Sequence, residues 1–153
     1  MPQLNVFDPH LETAAAWLTE LGEALELPNH PQRALRALRA GLHAIRDRLP
    51  AKEVVDLGAQ LPTLIRGVYY EGWTLGNDPG RIRDPAAMIA RVAAELAQDP
   101  NLDPDRVLRA VIHLLVGHVS SGEIADVIAT LPRSIAVWWQ TLPRDLDRTG
   151  YRR

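Results

Sequence analysis

The chain has 153 residues, with 19 acids against 17 lysines and arginines, and no cysteine. That length suits one domain or two small halves sharing a core, and the missing thiols exclude disulfides, thiolate catalysis and cysteine-ligated zinc. A net charge of −2 disfavours a non-specific nucleic-acid binder, and neither a basic leader nor a membrane-length apolar run occurs, so a soluble cytoplasmic protein is expected.

Helical periodicity covers most of the chain, and alternating strand patterns are missing. Asp8-Pro9 predicts an N-cap and a first helical position, after which Leu11, Ala14, Leu18, Leu21 and Leu25 recur at spacings of three and four. A second helix begins near Pro31 and carries the stripe Leu35, Leu38, Leu42, Ile45 and Leu49. Pro50 ends it and opens a short helix bearing Val54, Leu57 and Leu61; Pro62 opens another, with Leu64, Ile65 and Val68 expected inward. Residues 71–84, rich in glycine and turn formers, read as a linker.

The second half follows the same order. Asp84-Pro85 starts a helix with Met88, Ile89, Val92 and Leu96, and Asp103-Pro104 starts the next with Val107, Leu108, Val111 and Leu115. Ser120 and Glu123 have the spacing of a capping box, in which the hydroxyl accepts from an early amide and the acid reaches back. Ile124, Val127 and Leu131 follow, then Pro132 and a final helix through Trp138 and Trp139, with 141–153 as a tail.

Shifting the chain by 70 residues superposes His43 on His113, Glu53 on Glu123, Asp56 on Asp126, Ala59 on Ala129, Leu61 on Leu131, Pro62 on Pro132 and Ile65 on Ile135. Seven identities over positions 43–69 point to an internal repeat, 9–70 and 85–140. The expected fold is therefore a single all-α helical bundle, built from two tandem copies of a roughly four-helix unit packed with pseudo-twofold symmetry.

The segment LHAIRDRLPAKEVVDLGAQLPTLIRGVYYEGW resembles the bacterial domain-of-unknown-function family 2267. The matching elements are Leu42, Arg46-Asp47-Arg48-Leu49-Pro50, Glu53, Ala59-Gln60-Leu61-Pro62 and Tyr69-Tyr70-Glu71-Gly72-Trp73, with a weaker second copy at Gly122-Glu123 and Leu131-Pro132. Thr130 stands where the first copy has Gln60, and no Gly-Trp follows in the second copy. The resemblance implies a small helical protein and supplies no catalytic residues.

Three constellations are candidates for function. Tyr69, Tyr70 and Trp73 end the first copy and Trp138 and Trp139 the second; adjacent rings differ by about 100° on a helix, so one of each pair is expected inside and the other at the surface or against the opposite repeat, packing between repeats being the simpler reading. Such rings can anchor a protein partner or a homodimer. Arg33, Arg36 and Arg39 stripe one helix and offer planar contacts to phosphate, although pairing with the acidic first helix (Glu12, Glu20, Glu23, Glu26) is the simpler reading. His43, Glu53, Asp56, His113, Glu123 and Asp126 have the ligand types of a carboxylate-rich metal site. Against a metal, the helical wheel turns Glu53, Asp56 and Gln60 away from the apolar stripe toward water, and Glu53 and Glu123 suit the first turn of a helix by charge alone. His43 is expected beside the leucine stripe, four residues from Asp47 as an ordinary pair.

No phosphate-cradling loop or nucleophile elbow occurs. The function expected is a non-enzymatic helical interaction module, self-associating through exposed aromatics, without catalytic residues, cofactor or membrane contact. Nucleic-acid binding through the arginine stripe is the alternative, and the carboxylate–histidine metal bundle a further one. The Gly72-Trp73 corner, lacking a counterpart in the second copy, is where a function specific to the first copy is expected.

Overall fold

Prolines and short polar side chains set the helix starts. Asp84 accepts from the Ala87 amide at 2.8 Å and Asp103 from the Asp105 amide at 3.1 Å, each just ahead of a proline that has no amide to satisfy. In the computed structural model, which describes residues 2–143, eight α-helices follow, and no strand occurs among the described residues. They are α1 (Asp8–Ala24), α2 (Pro31–Arg48), α3 (Ala51–Ala59), α4 (Thr63–Tyr70), α5 (Pro85–Glu95), α6 (Pro104–His118), α7 (Ser121–Thr130) and α8 (Arg133–Thr141), with 3₁₀ turns at Pro2–Phe7 and Pro79–Arg81. Each half supplies two longer helices and then two short ones; the expected tail from residue 144 onward lies outside the described residues.

Helices α2 and α6 form the centre of the bundle. Both are buried over much of their circumference, α2 through Ala34, Ala37, Leu38, Ala40, Leu42, Ala44 and Ile45, and α6 through Val107, Leu108, Ala110, Val111, Ile112, Leu114 and Leu115. They pack closely because Gly41 has no side chain: a Cβ placed there would lie 2.5 Å from a Val111 methyl. The alanines let neighbouring helices approach α2. Around this pair, α1 packs on α2 and α6, α5 on the same two helices, and α3 on α7.

Several expectations need correcting. Asp8 is not the N-cap of α1: the chain enters as a 3₁₀ turn, so Phe7 holds the cap position without a side-chain bond. Leu11 remains 55% exposed because the first turns of α1 project beyond the bundle, and Trp17 and Leu21 seat the helix instead. Leu64 also faces solvent, since in α4 Ile65 and Tyr69 take the inward positions. The capping box is half formed. Ser120 Oγ accepts from the Glu123 amide at 3.2 Å, but the Ser120 amide donates at 3.3 Å to Gln60 Oε1 of the other half.

Candidate functional site

Arg46 lies at the root of the Gly-Trp corner. Its guanidinium is buried and donates from Nη1 to the carbonyls of Tyr69 at 2.8 Å and Glu71 at 2.6 Å, satisfying acceptors that the end of α4 leaves open. Nε and Nη2 are held by Asp47 Oδ1 at 2.9 and 2.8 Å. Asp47 Oδ2 in turn takes Arg91 Nε at 3.1 Å, and the Asp47 carbonyl accepts from Asn77 Nδ2 at 3.0 Å. Thus the Arg-Asp pair near the end of α2 clasps the end of α4, the following loop and α5. Gly72 completes the turn at φ +74°, a left-handed conformation that side chains rarely adopt, and Trp73 folds back so that its ring centroid is 5.9 Å from that of Tyr70.

This clasp walls a polar cavity of about 400 Å³. Arg39, His43, Arg46 and Asp47 come from α2, Glu71 to Thr74 and Asn77 from the corner, and Arg91 and Glu95 from α5. His43 is deep in the wall, with Nδ1 2.8 Å from Glu95 Oε1 and Nε2 2.7 Å from the Val68 carbonyl. The carbonyl only accepts, so Nε2 carries a proton, and with both nitrogens engaged the ring has none left to act as a general base. Burial pushes the Glu95 carboxyl up, but the hydrogen bond and charge of His43, joined by Arg91, outweigh it and hold the group below its ordinary range. At the mouth, Arg39 Nε donates to Glu71 Oε2 at 2.8 Å, and both side chains remain partly open to solvent.

The structure also relocates the candidates read from the sequence. Tyr69 is core, its hydroxyl donating to the Val54 carbonyl at 2.8 Å while burial pushes the phenol pKa up. Trp139 is core as well, and Tyr70, Trp73 and Trp138 are half-buried against the hydrophobic core. Tyr69 and Trp139 are thus the inward members of their pairs, while Tyr70, Trp73 and Trp138 keep part of their surface open. Tyr70 lies over Gly58, where a Cβ would be 2.5 Å from its hydroxyl. Arg33 and Arg36 do not meet the acidic first helix. Both bind Asp99 between α5 and α6, at 2.9 and 3.0 Å, and Arg33 in particular draws the Asp99 carboxyl below its usual range. Of the first-helix acids, Glu20 pairs with His118 at 2.7 Å, and His118 stacks on Trp17. His43 pairs with Glu95 rather than Asp47, since α5 packs across α2 at that level.

Glu53 faces inward, contrary to the wheel: it is 6% exposed and Glu123 9%, meeting where α3 packs on α7. The wheel finds one apolar face, whereas a helix 70 residues later buries a second, polar one. Burial pushes the Glu123 carboxyl up to about 8, helped by its hydrogen bond with Glu53 and by the charges of Glu53, Asp56 and Asp126. The Glu123 carboxyl therefore favours its protonated form, and Oε1 of each acid is buried without a partner among the described residues. His43 and His113 belong to different surroundings: His113 lines an apolar cavity between α6, α7 and α8, where burial lowers its pKa. The six residues thus do not converge, and no group of three or more histidines or acids among the described residues could hold a metal ion.

Fold and site together define a helical domain with a clasped polar cavity at one corner. The chain belongs to a family described as an uncharacterized conserved protein (DUF2267), whose model matches residues 14–138. No curated protein matches the chain. No helix among the described residues is long and apolar enough to cross a membrane.

Proposed function

We propose that the chain is a non-enzymatic binding module whose recognition site is the polar cavity at the Glu71–Asn77 corner. The observation supporting this is a void of about 400 Å³ with a charged, clasped wall, within the size range of small-molecule sites. The engaged nitrogens of His43 speak against proton-transfer chemistry there. A thermal-shift panel of neutral, cationic and anionic small polar compounds tests the reading. At least one class should raise Tm with increasing concentration, and Arg91→Gln should remove the effect. Stabilisation by no class, or stabilisation undiminished in Arg91→Gln, refutes the cavity as the site.

Self-association is a second reading with one specific support: Leu75, two residues beyond Trp73, is 80% exposed at the corner. Light scattering on wild type and Leu75→Ser decides it; a monomer in both ends the idea. Nucleic-acid binding through Arg33, Arg36 and Arg39 has less support, because phosphates would have to compete with Asp99 for the first two and with Glu71 for the third.

A further inference from the structure

The geometry points to an anionic ligand group, carboxylate or phosphate, that enters the polar cavity by taking the place of Glu71 on Arg39. This rests on the cavity being the recognition site and adds the chemistry of what it recognises. The inner acids of the wall, Asp47 and Glu95, offer little to an incoming ligand. Both oxygens of Asp47 are bonded to guanidinium groups, Oε1 of Glu95 is bonded to His43, and Oε2 of Glu95 is sealed from solvent. Apart from Glu71 at the mouth, little carboxylate surface is left to recognise a cation.

The cationic side of the wall is less committed. Arg39 uses only Nε toward Glu71, and its two terminal nitrogens have no hydrogen-bond partner among the described residues. Arg91 is 28% exposed, and beyond its bond to Asp47 makes only 3.4 Å contacts with Glu95. Two partly open guanidinium groups on facing helices suit an oxyanion, because their planar forks match its geometry. Glu71 is the chain's own carboxylate already resting on one of them. Being half exposed, it is weakly held, so exchange for an incoming oxyanion loses little. Once it moves off, Arg39, Arg46 and Arg91 face only Asp47 and Glu95 across the cavity. Glu71 therefore acts as a built-in competitor at the mouth.

The test is calorimetric titration of the whole protein at low ionic strength with inorganic phosphate, citrate, glycerol and methylammonium, using wild type, Glu71→Gln and Arg39→Gln. Phosphate or citrate should bind, Glu71→Gln should tighten that binding at least threefold, and Arg39→Gln should weaken it at least tenfold. Circular dichroism confirms that both variants are folded; both positions are partly exposed. Binding of phosphate alone assigns a phosphorylated ligand, and of citrate alone a carboxylate. Glycerol or methylammonium binding where the anions do not, or an anion affinity unchanged or lowered by Glu71→Gln, overturns the anion assignment while leaving the cavity reading intact. Failure of all four probes and of the compound panel overturns both.

Discussion

Replacing Glu123 with glutamine should flatten the dependence of stability on pH. In the wild type the carboxyl is raised from an ordinary 4.5 to about 8, first by burial and then by Glu53 across the α3–α7 contact. The folded protein thus holds a proton that the unfolded chain releases near pH 4.5. Its contribution is fully present below that value and is lost as pH rises through about 8. One pKa unit corresponds to about 1.4 kcal/mol, so a site titrating in this way loses up to roughly 3 kcal/mol by pH 7. At this chain length that is a fall of roughly 6–12 °C in Tm. Glutamine cannot ionise but can still donate to Glu53, so Glu123→Gln should match the wild type near pH 5 and exceed it near pH 8. Glu95 and Asp99, held low, complete their changes below this window, and His113, whose pKa is lowered by burial, acts in the opposite direction in both proteins. Calorimetric Tm measured from pH 5 to 8 on the two proteins isolates the pair. Parallel curves would refute the raised Glu123 carboxyl.

Gly41→Ala forces a methyl group against Val111 and should cost about 1–3 kcal/mol in chemical denaturation, with Val111→Ala in the same chain recovering part of the loss. If the double variant is no better than Gly41→Ala alone, this crossing is not where α2 and α6 are limited. Tyr69→Phe removes the bond to the Val54 carbonyl and should cost about 1 kcal/mol, read from denaturation midpoints; an unchanged midpoint means the bond contributes nothing. Arg46→Met unties the carbonyls of Tyr69 and Glu71 and should destabilise by about 3–5 kcal/mol, with faster amide exchange confined to residues 69–77. Uniform exchange changes along the chain would show that Arg46 is not a local clasp.

Much of the fold was legible because it is written in local chemistry. Prolines that cannot continue a helix, aspartates that cap one and leucines at spacings of three and four mark the eight helices of the described residues within a few residues. The Gly72 turn was legible too, since only a residue without Cβ rests easily at its φ. Burial was less so: Leu11 and Leu64 fit the apolar stripes and lie exposed, because a stripe states which face is apolar and not whether a neighbour covers it.

The site was only half legible. Arg46, Asp47, Glu71, Gly72 and Trp73 all fall in the segment that resembles the family, but Arg91 and Glu95 carry no mark beyond ordinary i, i+4 spacing. Their meaning comes from α5 lying across α2, which sets Glu95 on His43 and Arg91 on Asp47. Periodicity and punctuation determined the eight helices of the described residues. Only the tertiary structure decided which polar faces meet: Glu53 was turned from water to Glu123. A helical wheel records the preferences of one helix, while burial and charge pairing are set between helices as far apart as those of Glu20 and His118, 98 residues along the chain.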